Sequence, residues 1–495
     1  MSGTVLVARL DNAGDVLLAG PAIRAVAAGG REVVLLTGPY GREAARLLPG
    51  VSRTVEWRAP WIEPAAPPVT GPSAPSVPPV TGPHVLRLLR IVRDVAPDQA
   101  LILTSAHESP LPLALLLRLA GAFRITAASA DQVGSLLDVR HVADEGVDVP
   151  EAERMLALAR SAGFDLPPGD DGRLAVRHPL PEVGHLTGPP GYVAVHPGVS
   201  CPARAWPVES WARTVQDLAR SGHRVVVTGG VDERVLTARL ASGAGQHGLS
   251  PGPVFAGGWT RGGPGDACGP ERDEPARTGG WAGRHVETGV DGWIDGWSDG
   301  ELVAPDRAGG ATGTGGTNGA TGTDGAGGRG GGGGAGDVNG TGGAAGVNGG
   351  GGVNGAGGAG GVNRAAGPGS PVPPAGWPAG ASGRSVTDLG GRTTFAELAA
   401  VLAGACVVVA ADSGPAHLAA AVGTPVVSLF APVVPAGRWA PYGVPVVVLG
   451  DQRAPCRGTR AAVCPVPGHP CLSSVASARV VEAVDRLTFA KESVT

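Results

Sequence analysis

Four segments carry residue types and spacings that could do chemistry. The first, RLDNAGDVLLAGPAIRAV (Arg9–Val26), ends a short apolar run in a polar turn with two carboxylates, Asp11 and Asp15. Carboxylates at the C-terminal edge of an open α/β sheet face the place where ligands of such sheets bind. One could take a proton from a substrate hydroxyl; the same spacing also suits a helix-capping Asp. The second, HPGVSCPARAWP (His196–Pro207), presents Ser200, Arg204 and Trp206 just before a helix. A hydroxyl and a guanidinium there can receive phosphate oxygens, and the bland alternative is a surface Arg beside a packing Trp. The third, VVVTGGVDE (Val225–Glu233), is a strand, a Gly-Gly turn and an acidic helix start. The fourth, VVVAADSGPAHLAAAVGTPVVSLF (Val407–Phe430), delivers Asp412-Ser413-Gly414 to a helix start. Pro415 costs nothing at an early helical position. Free amides and the helix dipole there suit a diphosphate, with His417 one turn further on. Alternatively Asp412 caps the helix and His417 packs.

These motifs need strands to deliver them and helices to receive them. Val5–Leu10, Val33–Thr37 and Ala100–Thr104 read as strands, with helices over Val16–Ala28 and Leu111–Ala122. A second series follows: strand Tyr192–His196, helix Pro207–Ser221, strand Arg224–Thr228 and a helix from Val231. It resumes at Ser385 with helix Thr393–Ala405, strand Cys406–Ala411, helix Gly414–Val422, strands Pro425–Phe430 and Val444–Leu449, and helix Ala476–Leu487. Strands alternating with helices imply parallel sheets covered on both faces.

Composition locates what lies outside this pattern. The 495 residues include 84 Gly, of which 45 lie between Pro251 and Ser370. Ser242–Arg384 therefore reads as a low-complexity insertion, with GVNG-type repeats over 309–367 and too few apolar side chains to offset ordering entropy. Its removal leaves about 350 residues, enough for two α/β domains. Pro60–Pro83 is a Pro-rich loop holding the hexapeptide PPVTGP twice. The expected division is an N-terminal domain, 1–185, and a C-terminal domain, 186–490, interrupted by 242–384.

A formal net charge of −4 offers no basic excess for nucleic acid. Six Cys are no disulfide framework, and the N-terminus meets Arg9 and Asp11 too early for a signal peptide. These features point to the cytoplasm and leave peripheral membrane contact open. Cys456, Cys464, His469 and Cys471 are spaced unlike structural zinc pairs, so reduced thiols are the expectation.

In their order and wording, RLDNAGDVLLAGPAIRAV, HPG with ARAWP, HRVVVTGG, DLGGRTTFAELAAVLAGA and ADSGPAHLAAAVGTPVVSLF resemble glycosyltransferase family 9, the heptosyltransferases of lipopolysaccharide core. The resemblance spans about 350 residues and leaves out the Gly-rich insertion. It implies the GT-B architecture, in which two Rossmann-like domains face each other across a cleft, acceptor on the N-terminal side and nucleotide-sugar on the C-terminal side. It further implies an inverting, metal-independent transfer without cofactor, with ADP-heptose as donor and a glycan or glycolipid as acceptor. By position, Asp15 resembles the catalytic base. Ser200 and Arg204 fall at phosphate-contacting positions, where many members have Lys in place of Arg204. Glu233 falls near the position that holds the nucleoside ribose, and Asp412, Ser413, Gly414 and His417 in the donor-diphosphate loop. Other readings of the same fold are a nucleotide-sugar 2-epimerase and a non-catalytic nucleotide-sugar-binding protein; Asp15 favours the transferase, because an epimerase has no acceptor to deprotonate.

Overall fold

The computed structural model describes residues 3–62, 80–105, 107–142, 148–243, 302–303 and 386–492. Most of the Pro-rich loop and nearly all of the insertion, including the expected disorder at 309–367, lie outside the described residues.

Two parallel sheets carry the chain. The first contains β1 (Thr4–Arg9), β2 (Glu32–Thr37), β3 (Arg53–Glu56), β4 (Gln99–Ile102), β5 (Arg124–Ala128) and β6 (Val139–His141), in the order β3-β2-β1-β4-β5-β6. The second contains β7 (Tyr192–His196), β8 (Val225–Val227), β9 (Leu302–Val303), β10 (Val386–Asp388), β11 (Ala405–Ala411), β12 (Val426–Leu429) and β13 (Val446–Leu449). Its order is β10-β8-β7-β11-β12-β13-β9, with only the two-residue β9 antiparallel. Apart from β9, both sheets repeat the 3-2-1-4-5-6 order of dinucleotide-binding folds. This is the GT-B arrangement of two Rossmann-like domains across a cleft.

The central strands read as unbroken apolar runs because helices cover both faces. Val5, Leu6 and Val7 in β1, Val193 to Val195 in β7 and Val407 to Ala411 in β11 are fully buried. Strand order reverses between β1 and β4 and again between β7 and β11, so the turns after β1, β7 and β11 open into crevices where ligands of such sheets lodge.

The single helix expected over Val16–Ala28 is two helices, Ala13–Leu18 and Gly20–Ala27. Pro21 explains the break: it has no N–H to continue the first ladder, yet it fits the first turn of the second. Helix Phe395–Gly404 starts where the sequence TTFAE promises a capping box, and Thr394 and Glu397 close it reciprocally. Helix Glu151–Ser161 packs on Gly20–Ala27, and from there the chain crosses to the second sheet. Asp170 on that crossing forms a two-bond ion pair with Arg24, at 2.6 and 2.8 Å. No helix among the described residues is long and apolar enough to cross a membrane.

Candidate functional site

Asp15 occupies the first turn of helix Ala13–Leu18 without capping it. Asn12 holds the N-cap position in extended conformation, and no side chain caps there. The Asp15 carboxylate instead accepts from Arg9 Nη2 at 3.2 Å. Arg9, the last residue of β1, is wholly buried. The same nitrogen lies 3.0 Å from Asp11 Oδ2 and donates to Ser105 Oγ at 2.8 Å, while Nη1 donates to the Leu103 carbonyl at 3.3 Å. Burial opposes the guanidinium charge, but Asp11 and Asp15 outweigh it and hold the pKa of Arg9 above its ordinary value. Asp15 is therefore fixed in orientation by a cation that cannot leave.

Asp11 answers differently. Burial lifts its pKa well above the usual carboxylate range despite Arg9, with the nearby Asp15 and Glu108 adding to the rise. Glu108 is raised too, by burial first and then by the charge of Asp15. The sequence reading passed over Arg9, Ser105 and Glu108. Its available signals were a charged residue ending an apolar strand just ahead of two Asp, and a His-Glu pair just after β4.

The donor-side motifs converge from the other sheet. After β7 the chain turns through Ser200, which is partly exposed, into a short helical turn, Pro202–Arg204. Arg204 Nη1 lies 3.3 Å from Asp412 Oδ2. Asp412 is therefore not a cap: Ser413 occupies the N-cap position of helix Gly414–Ala421, its hydroxyl turned back to the Ala411 carbonyl at 3.2 Å. Burial raises the Asp412 pKa against the pull of Arg204 and His417. His417 is lowered by burial, against the pull of Asp412 and Asp15, and its Nδ1 has no hydrogen-bond partner. Arg204 is held above its ordinary value because Asp412 outweighs the cost of burial.

Glu233 lies beneath this turn. Its Oε2 accepts from the Gly230 amide at 2.6 Å, closing the start of its own helix, and lies 3.7 Å from His196 Nε2. Its Oε1 has no hydrogen-bond partner and presses so close to Gly198 that a Cβ there would stand 1.8 Å away. Gly198 is thus required by close approach.

A segment that sequence reading treated only as a thiol-bearing loop holds the Arg204 turn in place. Ala203 donates to the Ala462 carbonyl and accepts at its own carbonyl from His469 Nε2, both at 3.0 Å, and Trp206 Nε1 donates to the Leu472 carbonyl at 3.0 Å. Trp206 meets Trp211 edge-on, with ring centres 5.1 Å apart. In the same segment Cys456, Cys464 and Cys471 are all free of disulfides.

The two halves meet at the starts of helices Ala13–Leu18 and Gly414–Ala421. Asp15 lies near enough to Arg204, Asp412 and His417 to act on the titration of all three. Asp15, Arg204, Asp412 and His417 thus lie together where the two halves meet, with Ser413 and Gly414 at the start of the same helix as His417, while Ser200 stands on the turn after β7. Glu233 is buried behind the turn.

Residues 85–249 and 379–468 match the family described as glycosyltransferase family 9 (heptosyltransferase). Lipopolysaccharide heptosyltransferase 3 of Escherichia coli is 38% identical over 105 residues, which is 21% of this chain and 29% of that one. The aligned region thus spans less than a third of that relative. The structure of E. coli ADP-heptose lps heptosyltransferase II superposes with a TM-score of 0.53 at 15% identity, covering 99% of this chain and 100% of that one. E. coli heptosyltransferase WaaC with ADP-2-deoxy-2-fluoro heptose gives 0.50 at 15% identity, covering 98% and 99%. At such identities the likeness speaks for the fold; the family match, which extends over more than half of the sequence, speaks for descent. The chain belongs to glycosyltransferase family 9, the heptosyltransferase family.

Proposed function

We propose that this protein is an inverting, metal-independent glycosyltransferase that moves a heptose-like sugar from ADP-heptose to a glycan or glycolipid acceptor, as in lipopolysaccharide core assembly. Residues 1–185 would hold the acceptor and 186–490 the donor, in the cytoplasm. The observation that carries this reading is the place of Asp15, fixed by Arg9 on one wall and facing the Arg204–Asp412–His417 group on the other. The ADP-heptose in the name of one related enzyme and the ADP-2-deoxy-2-fluoro heptose bound in the other structure support the donor assignment.

The chemistry follows from that placement. Asp15 takes the proton of the acceptor hydroxyl as its oxygen attacks C1 of the donor sugar from the face opposite the diphosphate. The C1–O bond to the diphosphate breaks, and negative charge grows on the departing oxygens. Arg204, Ser200 and the start of helix Gly414–Ala421 receive that charge, the part a divalent cation plays in other transferases. The unpartnered Nδ1 of His417 is an additional polar atom on the same side. Glu233, which the resemblance assigns to the ribose, is buried behind the turn with Oε1 against Gly198, so it would support the donor site from beneath and not line it.

The test is transfer from ADP-heptose to a core oligosaccharide, with the product anomer read by NMR in the presence of EDTA. An inverted linkage formed with EDTA present supports the proposal. Retention of configuration, or activity that returns only with added metal, overturns it. Isomerisation of a nucleotide-sugar without acceptor would show the epimerase instead.

A further inference from the structure

The turn after β4, Thr104–Pro110, closes against the end of β1 around a cavity of about 270 Å³ whose walls include Asp11, Trp61, Ile62, His107, Glu108 and Leu113. Cavities that hold small molecules usually run from ~300 Å³ upward, so this one suits a single ring. One wall is aromatic and braced. Trp61 meets Trp57 at 5.5 Å with the rings tilted by 57°, and Trp57 is stacked on His84 at 4.9 Å. Trp57 Nε1 also donates to the His84 carbonyl at 3.2 Å, which fixes the ring that backs Trp61. The other wall carries the carboxyls Asp11 and Glu108, whose pKa values are both raised by burial. Their oxygens offer acceptor positions for hydroxyl groups.

The charges around the cavity decide what can enter. Asp11 and Glu108 line it, and Asp15 and Glu151 act on His107 at its rim. Of the cations, Arg9 is committed to Asp11, Asp15, Ser105 and Leu103, and Arg154 to Glu151 and the Thr104 carbonyl. Arg460, an exposed residue of the second half, acts on His107 from across the crevice but does not line the cavity. A phosphate or carboxylate pushed into this space would meet two carboxyls with no uncommitted cation among the described lining residues. A ring bearing hydroxyls meets no such opposition: its C–H face can lie on Trp61 and its hydroxyls can bond to the carboxyl pair.

We propose that this cavity seats the reactive ring of the acceptor, and that the ring is an uncharged sugar, laid on Trp61 and hydrogen-bonded to Asp11 and Glu108. The inference rests on the transferase reading above and narrows its acceptor class. Asp11 ties the cavity to the chemistry, because Arg9 holds Asp11 and Asp15 through one nitrogen.

The test uses the full chain and saturation-transfer NMR with glucose, galactose and mannose, each set against its 6-phosphate. ADP binding is measured in the same samples as a control for folding and for the donor site. At least one uncharged sugar should bind, and its 6-phosphate should bind at least about tenfold more weakly. Trp61→Ala and Glu108→Ala should each remove the signal while ADP binding persists, and Glu108→Gln, which keeps a hydrogen-bonding group, should retain most of it. A 6-phosphate that binds as tightly as its parent sugar overturns the proposal. So does binding indifferent to Trp61→Ala, or no uncharged sugar bound by a chain that binds ADP. A wild-type chain that binds uncharged sugars but not ADP would leave the cavity assignment standing and count against the nucleotide-sugar reading.

Discussion

Gly14 and His417 meet across the crevice with no space between them: a methyl group on Gly14 would stand 2.9 Å from His417 Cδ2. It would also stand 3.1 Å from the Gly414 Cα, which is backbone and cannot swing aside. Gly14→Ala should therefore hold the two helix starts apart and misplace Asp15 relative to the donor. A displacement of about 1 Å can cost on the order of a hundredfold in rate. Turnover should fall at least about tenfold, with melting temperature and ADP affinity changing little. Wild-type turnover in this variant would show that the observed approach of the two halves is not needed for catalysis.

Replacing Asp15 by Ala should lower transfer by about 10²–10⁴-fold, the usual contribution of a general base. ADP affinity should stay near normal, because Asp15 belongs to the opposite wall. Near-normal turnover would remove Asp15 from the mechanism.

Arg204→Ala should weaken ADP binding roughly ten- to a hundredfold, the equivalent of about 1.5–3 kcal/mol for a charge-assisted contact. Adenosine, which lacks phosphates, should bind both proteins alike. The change also deprives the buried Asp412 of its ion pair, so some loss of stability is expected. Asp412→Asn in the same chain should recover that stability without restoring ADP affinity. An equal loss for adenosine and ADP would assign Arg204 to the fold.

Acid should expose the buried imidazoles. Burial lowers both His196 and His417 below the 6.5 of a free imidazole. Their contribution to stability is present above that value and is lost as pH falls through their folded-state pKa values. Asp11 and Asp412, raised by burial, have the opposite dependence, losing their contribution as pH rises from the ordinary 3.8 through their folded values. The difference in melting temperature between wild type and His417→Asn isolates one imidazole. It should shift against the wild type below pH 6.5 and level off at lower pH. A constant difference would mean His417 is not buried as a neutral ring.

How much of this was legible beforehand depends on the range of the interactions. Strands β1, β7 and β11 could be read because both faces are buried and their central residues are apolar without a break. Strands β3 and β6 lie at the sheet edges, half exposed, and their mixed composition gives no period to find. Helix Gly82–Val95 was hidden by the Pro-rich stretch that runs into its first turn. In the site, Asp15, Arg204 and Asp412 were legible because each sits in a local strand-turn-helix pattern. Arg9 with Ser105 joins residues 96 apart, and Trp61 becomes a wall only when the loop after β4 packs near it. Neither relation leaves a mark in any short window of sequence.

The tryptophans give each half of the molecule its own optical signature. Trp57 and Trp61 lie 5.5 Å apart in the first half, and Trp206 and Trp211 lie 5.1 Å apart in the second. Indoles this close couple their electronic transitions, and the coupling vanishes when the pair separates. Trp61→Phe would silence the first pair and Trp211→Phe the second, so near-ultraviolet circular dichroism of each variant would follow one half alone. The order in which the signals disappear on heating would then tell whether the halves melt as one cooperative unit or in turn.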